Sequence, residues 1–485
     1  MRALGLVVAA AFGIQATMPA AQQPSPTAGV VRKGRIPVSN ELLKVTLPKP
    51  AEVDLPNGLH LIVLEDHRLP QVSFTLFVPG AGGYFDPASQ PGLAEFVAAL
   101  MREGTPTRTS DQVSQQLEQM AATLNIGAGA AGSEATMSGS SLVDQFPQLM
   151  DIAADILLRP TFADPEIARY QQRMRAQLQQ QRANPGLLAQ ERFSRAVFGD
   201  HPAARISPSV TTLNGLTHDA VAAFHRAHYA PDHAAMAIAG DLTPADARKI
   251  VEPRFGEWKK SGAAQPAVTD PPAIAGSRIS FVARPASVQT NLVVGTQAIS
   301  RTDADYDVLS VMNRIIGGGP TGRLFIHLRE EKGYTYGAAS TLNAAIYRGD
   351  WAASTSVRTE VTEPALTDLI AEITALRDVP VSAQELADAK RAMIASFALS
   401  LESPAQILNL YVTSWRYHFG RDYWDRYPER ISAVTAAQVQ AAARKYLAAD
   451  RLRIVAVGDP ARVTTALEKF GEVEAFDADG NKIPR

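Results

Sequence analysis

Apolar and polar residues alternate along Gly58-Leu59-His60-Leu61-Ile62-Val63-Leu64 and again from Val72 to Val78, the period-two pattern of strands that turn one face to a core. From Leu93 to Arg102 the spacing becomes helical. Longer helices are predicted at Ser110 to Thr123, Gln148 to Leu158 and Pro165 to Gln181. Strands and helices thus come in runs of each, which predicts an α+β fold.

The first residues carry a different pattern. Met1-Arg2 precedes an apolar run from Ala3 to Ile14, then the small residues Ala16, Ala20 and Ala21 and the polar Gln22-Gln23-Pro24-Ser25. A secretory signal peptide over 1–21 is expected, because the apolar run is shorter than the roughly 20 residues that cross a bilayer. No later segment stays apolar for that length, so a soluble, exported protein is expected, with no stable membrane insertion and the periplasm as its destination. Residues 22–49 read as an extended arm.

Two stretches repeat each other. His228-Tyr229, an apolar strand from Ala234 to Ala239, Gly240-Asp241 and a helix closing on Arg254-Phe255-Gly256-Glu257 are matched by Lys445-Tyr446, a strand from Leu452 to Val457, Gly458-Asp459 and a helix closing on Lys469-Phe470-Gly471-Glu472. Tyr229 and Tyr446 stand 217 residues apart, too far for a solenoid repeat and right for a duplicated domain. The breaker-rich stretch 261–276, with Asp270-Pro271-Pro272 inside it, is the expected connection. It divides 50–260 from 277–485. Each half is expected to be a mainly antiparallel sheet covered by helices on one side, the two halves enclosing a cleft.

Composition removes several functions. Lys and Arg number 47 against 49 Asp and Glu, so no broad basic field exists to attract nucleic acid. There is no cysteine, which excludes disulfides, thiolate metal sites and a thiol nucleophile.

The segment Gly92-Leu93-Ala94-Glu95-Phe96-Val97-Ala98-Ala99-Leu100-Met101, followed by Gly104-Thr105, resembles the pitrilysin or insulinase family of zinc peptidases. So do the duplicated layout, Gly199-Asp200-His201-Pro202, the block from Phe224-His225 to Gly240-Asp241, and Arg451 to Asp459. The resemblance implies a pitrilysin/LuxS-like fold. In that family the helix carries H-x-x-E-H, two metal ligands and a base on one helical face. The matching positions here are Glu95, Ala98 and Ala99. A third ligand, a Glu on a later helix, aligns with Gln177, ahead of Asn184-Pro185. Alanine can be neither ligand nor base and a neutral amide is a poor zinc ligand, so no metal is expected in this chain. Glu95 is expected to be a solvated or salt-bridged carboxylate.

A second element is intact. Gly322-Arg323-Leu324-Phe325-Ile326-His327-Leu328-Arg329-Glu330-Glu331-Lys332-Gly333-Tyr334-Thr335-Tyr336 looks like the family's arginine and tyrosine element, in which an Arg and a Tyr seven residues later face the zinc from the opposite domain and bind substrate. The resemblance assigns these roles to Arg329 and Tyr336, two hydrogen-bond donors suited to the negative charge that peptide hydrolysis builds on a carbonyl oxygen. Arg329 is expected at a helix end and Tyr336 on the following strand, with Tyr334 turned to the other strand face for packing.

Other candidates have structural readings. Gly317-Gly318-Gly319 lacks the Lys-Ser/Thr of a phosphate loop and is expected to end a helix. His225, His228, Asp232 and His233 could be drawn together as a metal site but are expected to be ordinary polar residues, since Pro231 ends their helix. Leu124 to Ala131 is the expected edge strand of the first half, the place where the family holds substrate as an added strand.

One half-site missing and its complement present imply division of labour between chains, as in mitochondrial processing peptidase. The expectation is a zinc-less subunit of an exported heterodimeric metallopeptidase, inactive alone, with the zinc and the H-x-x-E-H motif on a homologous partner and unfolded peptides as substrate. The alternative is a catalytically inactive scaffold or peptide-binding protein of the same fold. An autonomous hydrolase finds no nucleophile and base at a recognisable spacing.

Overall fold

The computed structural model describes residues 43–484; the expected signal peptide and the arm up to residue 42 lie outside the described residues. Among the described residues twelve strands follow in chain order: β1 Ala51–Asp54, β2 His60–Glu65, β3 Gln71–Pro79, β4 Thr123–Ala128, β5 Glu134–Leu142, β6 Ala235–Gly240, β7 Arg278–Ala283, β8 Gln289–Gln297, β9 Thr335–Asn343, β10 Asp350–Arg358, β11 Arg453–Gly458 and β12 Val473–Phe476. They form two six-stranded sheets, ordered β1-β2-β6-β3-β5-β4 and β12-β7-β11-β8-β10-β9. The five strands β2-β6-β3-β5-β4 of the first correspond in order to β7-β11-β8-β10-β9 of the second, so the duplication read from the repeated blocks is present in the topology. Most strand pairs are antiparallel; β2 with β6, β7 with β11 and β7 with β12 run parallel.

Each sheet carries its own helices on one face. Against the first lie Leu93–Leu100, Phe146–Leu158, His218–His228 and Pro244–Phe255, and against the second Tyr306–Ile316, Thr362–Asp378, Ala436–Tyr446 and Pro460–Glu468. The other face of each sheet adds a feature absent from the sequence reading: it receives a helix from the opposite half. Phe193 and Val197 of the Pro185–Phe198 helix pack on Val282, Val455 and Val457 of the second sheet. Ile407, Leu408 and Tyr411 of the Pro404–Tyr417 helix pack on Ile62, Leu64, Ala237 and Ala239 of the first. Strands β6 and β11 are therefore buried on both faces along their whole length, which explains why the repeated strands, Arg453 apart, are continuously apolar instead of alternating.

Gly295 shows how close the exchanged helix comes. A Cβ there would stand 2.7 Å from the Phe193 ring and 2.2 Å from the Trp351 carbonyl oxygen, so only a residue without a side chain lets that ring rest on β8. The largest difference in a predicted element is at the Ser110–Gln119 helix, which stops four residues before Thr123, because Ala121 turns into the left-handed region at φ 48° and the chain re-enters as β4. No helix among the described residues is long and apolar enough to cross a membrane.

Candidate functional site

The helix that resembles the zinc-binding one is Leu93–Leu100. Its N-terminus is held by the buried carboxylate of Asp86, which accepts from the Gly92 and Ala94 amides at 2.6 and 2.8 Å. Burial pushes the Asp86 carboxyl up to about 6 against those two hydrogen bonds and the nearby Arg205 guanidinium. Glu95 is half-buried on the same helix. Burial first, and the charge of Asp86 second, push its carboxyl up as well. Ala98, where the family places its base, has no exposed surface and belongs to the apolar core, and Ala99 packs against that core. Gln177 lies on the Asp164–Gln181 helix with its side chain exposed.

These four positions do not fit zinc. They offer one carboxylate whose environment disfavours charge, two methyl groups in or against the core and one solvated amide. Among the described residues, no group of three or more His, Asp or Glu side chains is placed to hold a metal ion. His225 and His228 each take a different carbonyl, Leu157 O at 2.9 Å and Gly80 O at 2.7 Å, while Asp232 caps Ser261 and Gly262. Burial pushes His225 down to about 4, a neutral ring engaged in packing.

On the other half, Arg329 lies in a π-helical turn, Ile326–Glu331, and Tyr336 on β9, the edge strand of the second sheet. The guanidinium lies over two rings, 4.6 Å from the Phe325 centroid and 4.9 Å from that of Tyr336. Glu330 approaches its Nε at 3.4 Å. Tyr336 is 89% exposed, the most exposed large side chain of its class among the described residues. The π-turn is anchored below the site. Leu328 is buried, and His327 meets the Glu372 carboxylate at 2.7 Å through Nδ1. π-turns inside helices concentrate at functional sites, because the extra residue in the turn re-aims the side chains beside it.

A cavity of about 820 Å³ runs between the Pro185–Phe198 helix and the second sheet. Phe325 and Gly337, neighbours of the Arg329/Tyr336 pair, stand in its wall with Phe193, Ala339, Tyr347 and Asp350, and the lining is mainly apolar. The glycine run behaves as a helix stop after Ile316 and does one thing more: Gly317 O accepts the Ser340 amide at 3.0 Å, closing part of the free edge of β9. On the first half, β4 is the edge strand, as expected for Leu124 to Ala131, and its Leu124 carbonyl accepts from Arg102 at 2.9 Å.

Tyr334 packs against the second core, as expected, but for a different reason. Residues two apart on a regular strand share a face, so alternation alone cannot separate Tyr334 from Tyr336. Tyr334 precedes β9, in the turn after Gly333, where its amide bonds Leu328 O at 2.9 Å. Phe325 was missed as a site residue. Its spacing of four before Arg329, with both on one helical face, was the available signal.

Residues 61–207 match the family model described as Insulinase (Peptidase family M16), and residues 215–393 match Peptidase M16 inactive domain. The chain belongs to peptidase family M16. An uncharacterized zinc protease of Streptomyces coelicolor is 24% identical over 81% of this chain and 86% of its own length, and the uncharacterized zinc protease YmxG of Bacillus subtilis is 22% identical over 72% and 83%. A crystal structure of a peptidase M16 inactive domain from Pseudomonas fluorescens superposes with a TM-score of 0.78 at 28% identity, covering 84% of this chain and 98% of that one. A protease from Helicobacter pylori shares the fold at the same TM-score with 16% identity.

Proposed function

We propose that this chain is the zinc-less subunit of an exported heterodimeric metallopeptidase that degrades unfolded peptides. The observation that carries the reading is the pairing of base and ligand positions filled by the methyls of Ala98 and Ala99, in and against the core, with an Arg329/Tyr336 pair held in the open. An exposed phenol stacked on an arginine serves no packing purpose on an isolated chain. Facing a partner, it supplies two donors to one substrate.

The metal, its His, His and Glu ligands and the basic Glu belong on this reading to a homologous partner with an intact H-x-x-E-H helix. This chain is inactive alone. Arg329 donates through its planar fork to a peptide carbonyl, and Tyr336 donates its phenolic proton to the same or the adjacent oxygen, where negative charge develops during hydrolysis. The apolar cavity beside them offers a wall against which an extended, unfolded peptide can lie.

The test mixes purified chains: peptide cleavage is measured for this chain, for a zinc-bearing homologue from the same source and for both together, with and without chelator. Cleavage by the mixture, lost with chelator and absent for this chain alone, is the expected result. Cleavage by this chain alone, or no gain on mixing, overturns the reading; in the second case the scaffold or peptide-binding alternative takes its place. Export to the periplasm is part of the proposal, and cell fractionation with sequencing of the mature N-terminus checks it.

A further inference from the structure

The exposure of Tyr336 conflicts with the pleat of its own strand. Ala338 and Ser340, two and four residues on, are buried at 4% and 5%, and Leu342 packs against the core. Period-two alternation would send Tyr336 to that same buried face. The register shows why it does not: Thr335 pairs with Val357 and Ala338 with Thr355, so Tyr336 and Gly337 together oppose the single residue Ser356. That extra residue is a β-bulge, and it turns Tyr336 from the core side to the open side.

A bulge breaks ladder hydrogen bonds, and here two threonine hydroxyls replace them. Thr335 Oγ1 accepts from the Gly337 amide at 3.1 Å and donates to Ser356 O at 2.7 Å, with Gly337 O at 2.9 Å sharing that proton. Thr355 Oγ1, on the neighbouring strand, donates to Gly337 O at 3.0 Å. Both backbone groups of Gly337 are thereby satisfied from side chains. Beyond the bulge the strand is pinned, since the Ser340 amide is taken by Gly317 O and the Ser340 hydroxyl reaches Asn313 Oδ1 at 2.7 Å. Loss of the clip would therefore be felt at 335–337, where Tyr336 sits.

We propose that Thr335 and Thr355 are positioning residues: their hydroxyls hold the bulge that presents Tyr336 beside Arg329. The geometric part stands on this chain alone, and its consequence for turnover rests on the heterodimer reading above. The threonine-to-valine change keeps shape and removes the hydroxyl, and threonine-to-serine keeps the hydroxyl. The first readout is nitration of Tyr336 by tetranitromethane in the purified chain, quantified on its own tryptic peptide by mass spectrometry.

In Thr335→Val and Thr355→Val the rate should fall, by up to about fivefold each, the change in the ratio of bulged to regular strand that one net hydrogen bond supports, and Thr335→Ser and Thr355→Ser should retain it. The second readout is the mixed complex, where the valine variants should lose kcat with KM little changed and the serine variants should recover it. Wild-type nitration rates in both folded valine variants overturn the proposal, as does a fall in the serine variants equal to that in the valine ones. If a valine variant does not fold, hydrogen exchange of the Gly337 amide in the corresponding serine variant and wild type decides, with fast exchange in wild type overturning the clip. Reduced nitration without any activity of the wild-type mixture would sink the heterodimer reading and leave the clip standing.

Discussion

The Arg329 guanidinium stands 4.9 Å from the centre of the Tyr336 ring, with the Phe325 ring 4.6 Å away on the arginine as well. The stack pre-orders two donors on the molecular surface. A guanidinium so held loses less side-chain freedom when it meets a carbonyl than a free one would.

Removing either donor should therefore act on turnover and spare the fold. Arg329→Ala and Tyr336→Phe are each expected to lower turnover of the mixed complex by about 100-fold, the scale of one lost oxyanion contact. Because Tyr336 is exposed, Tyr336→Phe should leave the unfolding free energy within about 0.5 kcal/mol of wild type in urea titration.

At the degenerate zinc helix the outcome is reversed. The purified chain is expected to carry no stoichiometric zinc by elemental mass spectrometry. Ala98→Glu should not bring zinc in; it should destabilise the chain by about 3 kcal/mol, since the new carboxylate enters a core position with no partner. Thermal unfolding reads the effect.

Acid sensitivity has an identifiable source in Asp155, whose side chain is fully buried in the Phe146–Leu158 helix. Burial alone would raise its pKa; hydrogen bonds from Thr105, Thr107, Arg159 and Arg108 outweigh burial and hold it at about 2. A carboxyl depressed in the folded state contributes stability above its unfolded pKa of about 4, lost as pH falls through the folded value, so this contribution should disappear between about pH 4 and 2. Asp155→Ala should cost about 3 kcal/mol at pH 7 and flatten that part of the stability profile, as measured by urea unfolding across the pH range.

Helix exchange between the halves predicts coupled unfolding. Gly295→Val would drive a side chain into the Phe193 ring and the β10 backbone. A loss of about 3 kcal/mol, at the upper end of overpacking effects, is expected. It should lower the protection of the Pro185–Phe198 helix in hydrogen exchange along with that of β8.

Much of this molecule was legible along the chain. Strands β2 and β3, the helices beginning near Leu93 and Asp164, and the duplication through Gly240-Asp241 and Gly458-Asp459 follow from periodicity and from a repeated block, while the edge position of β4 came through the family resemblance. Local hydrophobic spacing dictates the strands and helices among these. The Arg329/Tyr336 spacing and the Ala98/Ala99 substitutions were visible too, but only through resemblance to a family, because seven residues between an arginine and a tyrosine mean little by themselves. The end of the helix at Gln119 was missed, since polar residues continue the helical spacing past it while Ala121 breaks the backbone.

Residue order alone therefore settled the class of fold and the twofold architecture, since both depend on which side chains are present and how they are spaced. Three matters were decided in space. These are the exchange of helices that buries β6 and β11 on both faces, the π-turn that aims Arg329, and the bulge that brings Tyr336 out of the core. Each arises from contacts between segments far apart in the chain, such as Thr335 with Ser356 or Phe193 with Gly295, and no local pattern encodes a partner that distant.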